Sequence, residues 1–220
     1  MGDMLNYMNK IGVFGGTFNP VHKGHEIIAV EFYNKFNLDK LFIIPSNIPP
    51  HKPGDANISP QSRLEMCEIC FGKYKSLYDY NIEISDIEIK KTGVSYSYDT
   101  IKALRGIYPD VSKDIIYFLV GSDMFLYLEK WRRYKELLEM CVFTVAYRNN
   151  NDTDISDVLK LREDLINRGY KIELLENNAL EISSTEIREK IKNNDFNDLH
   201  DYLSPEVLDY IKERKIYVLQ

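Results

Sequence analysis

Short apolar runs alternate with longer amphipathic stretches along nearly the whole chain, and that alternation is the strongest constraint on its fold. Strands are predicted at 11–14, 40–45, 81–84, 114–121 and 141–147, with helices at 24–36, 60–74, 97–108, 135–139 and 155–168. A strand at 171–175 and helices at 184–192 and 205–213 complete the pattern. Repeated β-α units with apolar strands imply an α/β fold, a doubly wound parallel sheet covered by helices on both faces. Ligands of such sheets sit beyond the carboxyl ends of the strands, where the strand order reverses. One domain is expected over 10–220, with a small C-terminal helical extension from about 176, after a leader at 1–9 in which Met8 is a second possible start. The polar segment 148–153 reads as a surface loop that could separate a five-stranded core from that extension.

The 220 residues carry a net charge of −6, which disfavours nonspecific binding to nucleic acid or an anionic membrane. The longest apolar runs are too short to cross a bilayer, and the N-terminus lacks the apolar stretch of a secretory signal. Three cysteines, Cys67, Cys70 and Cys141, are odd in number and too few for a disulfide framework, so a reducing cytoplasm is the expected compartment.

The first strand runs into Gly15-Gly-Thr-Phe-Asn-Pro-Val-His22-Lys-Gly-His25 before the first helix. A strand, a glycine turn and a helix start bring backbone amides close to an anion. The spacing is neither that of a Walker A loop nor Gly-x-Gly-x-x-Gly. His22 and His25 both stand where the anion would bind, and an imidazole donates to phosphate whether neutral or charged. Near the other end, Ile182-Ser-Ser-Thr-Glu-Ile-Arg188 has capping-box spacing between Ser183 and Glu186. A helix start with three hydroxyls and an arginine one turn later also suits a second phosphate group. Cys67 and Cys70 have a zinc-like spacing, but they fall within a continuous helical pattern beside Met66, Ile69 and Phe71, so core packing is the better account.

These two segments resemble the Gly-Gly-Thr-Phe-x-Pro-x-His-x-Gly-His and Ile-Ser-Ser-Thr-x-x-Arg motifs of the His-x-Gly-His nucleotidyltransferase superfamily. Between them, Ile48-Pro-Pro-His-Lys52, Ser95-Tyr-Ser-Tyr-Asp-Thr100, Gly121-Ser-Asp-Met124 and Lys130-Trp131 follow the order found in the bacterial nicotinate-nucleotide adenylyltransferase family. The similarity covers nearly everything from Lys10 onward. It implies a Rossmann-like fold and transfer of AMP from ATP, with Mg²⁺, to the phosphate of nicotinate mononucleotide. The products would be nicotinate adenine dinucleotide and pyrophosphate, formed by direct attack without a covalent enzyme intermediate.

By this resemblance His22 and His25 stabilise the reacting phosphate, with His25 the more important. Ser184, Thr185 and Arg188 would hold the departing phosphates, and the backbone from Gly15, Gly16 and Thr17 to Phe18 would line the nucleotide. Asp123, after Gly121, is expected to accept from ribose hydroxyls, to cap the next helix, or both. Trp131 would stack on the pyridine ring, its alternative being ordinary packing. The ring's carboxylate would meet amides and a hydroxyl around Ser95, Tyr96 and Ser97, although the family usually has threonine at 97, and aspartate at 19 where this chain has Asn19. His51 and Lys52 either reach the ATP phosphates or belong to a solvated loop. No dedicated protein metal site is expected, since phosphates and water can supply most Mg²⁺ ligands. Oligomeric state is open, with a homodimer among the options. A pantetheine-phosphate adenylyltransferase, a cytidylyltransferase, a nucleotide sensor without catalysis and a zinc-stabilised module are the rival readings.

Overall fold

The computed structural model describes residues 8–48, 58–108, 114–147, 155–177 and 183–218. Its elements follow in the order β1 (Lys10–Gly16), α1 (Lys23–Phe36), β2 (Lys40–Pro45), α2 (Pro60–Tyr78), β3 (Ile82–Ile84) and α3 (Ser97–Ile107). Then come β4 (Ile115–Gly121), α4 (Ser122–Leu126), a 3-10 turn (Leu128–Lys130), α5 (Tyr134–Met140), β5 (Val142–Tyr147), α6 (Ile155–Asn167) and β6 (Ile172–Glu176). The chain continues with α7 (Ser184–Lys192), α8 (Leu199–Tyr202) and α9 (Pro205–Glu213).

All the strand pairings are parallel, in the order β3-β2-β1-β4-β5-β6. The chain winds outward from β1 to β3, returns to β4 beside β1, then winds outward the other way. The switch point therefore lies between β1 and β4, whose carboxyl ends are Gly16 and Gly121. Alternating side chains feed two separate cores. Ile11, Val13, Phe42, Ile44, Ile116, Phe118 and Val120 face α3 to α6, whereas Leu41, Ile43 and Leu119 face α1, α2 and the C-terminal helices. Both faces are thus buried, as a parallel sheet requires.

The sheet has six strands, not a five-stranded core with an appendage. β6 pairs with β5 along Phe143 to Tyr147, with α6 between them in the chain, while the polar segment 148–153 lies outside the described residues. The C-terminal helices also share the main core, through Ile187, Ile191, Leu199, Val207 and Ile211. At the other end, Asn9 is fixed by its backbone and side-chain amides to Asp114, while residues 1–7 of the expected leader lie outside the described residues. Among the described residues, no helix is long and apolar enough to cross a membrane.

Candidate active site

A cavity of about 400 Å³ opens at the switch point. Gly15, Gly16 and Thr17 form one wall, Gly121 and Asp123 another, and Ser95, Tyr96, Ser97 and Trp131 a third. The topology dictates this location: strands separating to opposite sides leave a crevice that no crossover helix fills.

The loop after β1 is held from beneath by its carbonyl groups. Gly16 accepts from the Ser46 amide at 2.9 Å, Thr17 from Arg63 Nη1 at 2.7 Å, Asn19 from Arg188 Nη1 at 2.8 Å and Pro20 from Ser184 Oγ at 2.9 Å. Because a trans peptide points its N–H opposite to its C=O, these anchors turn the Thr17 and Phe18 amides away from the protein donors. That is the polarity an anion needs. Phe18 itself adopts φ 48° and is buried, its ring folded back over Gly16, where a Cβ would stand only 3.0 Å from it. The Phe18 side chain is consequently a packing group, and only its backbone is available to a nucleotide.

His22 precedes α1 and is buried, while His25, in the first turn, is half-buried. Their ring centroids are 3.8 Å apart, and the Phe18 ring packs edge-to-face with His25, centroids 5.0 Å apart. The His22 backbone amide donates to His25 Nδ1 at 3.2 Å, which assigns the His25 proton to Nε2. Burial, reinforced by the neighbouring His22, pushes the His25 pKa well below the ordinary histidine value. At neutral pH His25 is therefore an uncharged imidazole with one donor fixed at Nε2.

Ser183 and Glu186 form the expected capping box at the start of α7. Ser184 and Arg188 reach the Asn19–Pro20 loop, and Arg188 Nη2 also holds Thr185 Oγ1 at 3.2 Å. His22, His25, Ser184, Thr185 and Arg188 do not line the 400 Å³ cavity itself, but gather around the loop whose opposite end does. His51 and Lys52 lie outside the described residues.

On the far wall, Gly121 rather than Asp123 occupies the N-cap of α4, and Asp123 lies in its first turn. A Cβ at Gly121 would come within 2.6 Å of Asp123 Oδ1, so glycine makes room for that carboxylate. Trp131 packs against Phe118 and Phe143, with both centroids 6.4 Å away, and still lines the cavity. Packing and access to a ligand thus coexist in one side chain. Ser97 is the first residue of the 11-residue helix α3, whose amino end borders the cavity. Ser95 Oγ accepts from the Asn47 amide at 3.0 Å, so this hydroxyl is engaged within the protein.

Several lining groups were not foreseen from sequence. Glu88 is buried and accepts from Thr100 Oγ1 at 2.6 Å; burial raises its pKa, opposed chiefly by the Thr100 hydrogen bond. Lys130 and Arg132 add positive charge, with Arg132 stacked 4.9 Å over Tyr96 and paired with Asp99. Cys67 and Cys70, by contrast, are free thiols in the core of α2, and burial pushes both pKa values up. Among the described residues no group of three potential metal ligands occurs.

Residues 13–190 match the cytidylyltransferase-like family. A relative from Oceanobacillus iheyensis is 34% identical over 211 residues, spanning 96% of this chain and 97% of its own, and is named a probable nicotinate-nucleotide adenylyltransferase. The chain belongs to this family. A second relative of the same name, from Fusobacterium nucleatum, is 40% identical over 185 residues, 84% of this chain and 88% of its own. The fold resembles that of a Plasmodium falciparum nicotinic acid mononucleotide adenylyltransferase complexed with NaAD. That likeness has a TM-score of 0.75 and 22% identity, and covers 95% of this chain and 97% of the other. The six-stranded parallel architecture is thus shared with a nucleotidyltransferase, and the motifs at both ends of the site fall within the matched region.

Proposed function

We propose that this protein transfers the AMP moiety of ATP to the 5′-phosphate of nicotinate mononucleotide, producing nicotinate adenine dinucleotide and pyrophosphate in NAD biosynthesis. The carrying observation is the two-sided site at the switch point. An anion-binding loop, with the paired histidines packed against it, borders the cavity, as do a helix N-terminus and an aromatic side chain.

An oxygen of the mononucleotide phosphate bonds to the α-phosphorus of ATP. The bond from that phosphorus to the α–β bridging oxygen breaks, and its electron pair leaves with pyrophosphate. The protein aligns the reactants and stabilises charge on the phosphoryl oxygens. His25 donates from Nε2 to an α-phosphate oxygen, and the adjacent His22 ring, tilted 42° against it, keeps it in orientation. The Thr17 and Phe18 amides face the same phosphate chain, while Thr185 and Arg188, with the amino end of α7, receive the departing pyrophosphate. Asp123 accepts from ribose hydroxyls.

Mg²⁺, bound with the triphosphate, would supply neutralisation of part of its charge. The donor set suits an ion held mainly by phosphate oxygens and water, since the described lining carboxylates are Asp123 and Glu88 and the latter is engaged by Thr100. The pyridine ring packs on Trp131, and its carboxylate meets the Ser97 and Tyr98 amides at the start of α3, aided by Arg132. An amide in place of the carboxylate would lose that charge complementarity. The three buried free thiols suit a reducing cytoplasm.

Pyrophosphate release from ATP and Mg²⁺ with a panel of acceptors tests the assignment. Release with nicotinate mononucleotide is the expected result; release with phosphopantetheine alone would overturn it.

A further inference from the structure

The most unusual buried group lies just outside the cavity. Arg63, in α2, is only 2% exposed and makes no ion pair among the described residues. Burying a guanidinium is costly unless its donors are used, and here they serve two backbone carbonyls from different loops. Nη1 donates to Thr17 at 2.7 Å, in the loop after β1, and Nη2 to Asn47 at 2.8 Å, in the loop after β2. The planar fork lets one side chain span both acceptors, which an ammonium or a neutral amide cannot do in the same way.

The bridge continues on the Asn47 side. The Asn47 backbone amide donates to Ser95 Oγ at 3.0 Å, and its side-chain amide to the Lys91 carbonyl at 2.8 Å. Glu88, which receives the Thr100 hydroxyl from within α3 at 2.6 Å, lines the cavity together with Ser95. Hydrogen bonds therefore run from Thr17, beside the phosphates, through Arg63 and Asn47 to Ser95, two residues before α3. Both ends, Thr17 and Ser95, line the cavity.

We propose that Arg63 is a positioning residue that holds the phosphate loop and the acceptor-side wall in one register, so that both substrates meet at the correct separation. Resting on the functional reading above, this adds a residue that touches neither substrate. Its leverage is geometric. Arg63 fixes the Thr17 carbonyl and thereby the outward direction of the Phe18 amide. Without it the 17–18 peptide can rotate and present an oxygen to the phosphate. A misplacement of about 1 Å costs a reaction of this kind on the order of a hundredfold in rate.

Arg63→Lys keeps the charge but cannot span both carbonyls. Assayed well below its own melting temperature, it is expected to lose at least about tenfold in kcat, more than either KM rises. Arg63→Met should lose more, and Ser95→Ala, which cuts the link to Asn47 while leaving Arg63 in place, should lose part of the same kcat. Folded Arg63→Lys with wild-type kcat overturns the proposal, as does a deficit that merely tracks the unfolded fraction. Should neither Arg63 variant fold, unchanged kcat in Ser95→Ala overturns it instead. The comparison uses whichever acceptor the wild type adenylylates, so failure with nicotinate mononucleotide refutes the substrate assignment and not the role of Arg63.

Discussion

Gly121→Ala should separate nucleotide binding from stability in this protein. Glycine at 121 has φ −73° and ψ 156°, a conformation open to any residue, so alanine brings no backbone strain. Its Cβ would stand 2.6 Å from Asp123 Oδ1, about 0.7 Å short of the roughly 3.3 Å at which carbon and oxygen meet comfortably. Asp123 is exposed, so its carboxylate can swing aside without disturbing the core. The fold should hold or gain about 0.4–1 kcal/mol, the usual effect of restricting the unfolded chain. The displaced carboxylate loses a charged hydrogen bond to the ribose worth about 1.5–3 kcal/mol, which corresponds to roughly a 10- to 100-fold rise in KM for ATP. Pyrophosphate release at varied ATP, paired with a thermal melt, measures both quantities. Wild-type KM for ATP in a folded Gly121→Ala protein would refute the assignment of Asp123 to the ribose. An equal rise in both KM values would refute its local character.

Other consequences follow from the same geometry. Since the His25 pKa is depressed, the unfolded chain binds more protons just below its ordinary value of 6.5; stability should be greatest above that pH and decline as pH falls toward the folded value. His25→Asn should flatten this acid limb in melts across the range, and an unchanged slope would contradict the burial argument. The same substitution should lower kcat by about 10²–10³-fold, the scale set by losing an oxyanion donor. Trp131→Ala should raise KM for the pyridine nucleotide by about 5- to 100-fold, in line with roughly 1–3 kcal/mol for stacking a base on an aromatic ring, and leave KM for ATP nearly unchanged. Tyr217→Phe removes a 2.6 Å hydrogen bond to Asn19 Oδ1 beneath the phosphate loop, and should cost about 1 kcal/mol, or a melting point about 2–4 °C lower.

The strand-turn-helix at Lys10–His25 was legible because the apolar run, the glycine pair and the helix start are local signals, as were the cap at Ser183 and the packing of Cys67 and Cys70. β6 was detected as a strand, but its place in the sheet was obscured by the polar segment before it; pairing partners are not encoded locally. α4, the 3-10 turn and α8 span only 3 to 5 residues each, too few for a helical period to emerge. Arg63 and Glu88 were missed for a different reason. A charged residue on a helix or in a run such as Asp86-Ile-Glu-Ile-Lys90 resembles a solvated face, and only the tertiary fold buries it against carbonyls and hydroxyls.

The central claim is that the switch-point site joins ATP to a pyridine nucleotide whose ring carboxylate lies at the start of α3. Its most direct test is turnover of nicotinate mononucleotide and its amide counterpart side by side, with dinucleotide and pyrophosphate both quantified. The account predicts nicotinate adenine dinucleotide and pyrophosphate in equal amounts, and a kcat/KM on the acid at least about tenfold above that on the amide. No dinucleotide from the acid, or an amide used equally well, would contradict it.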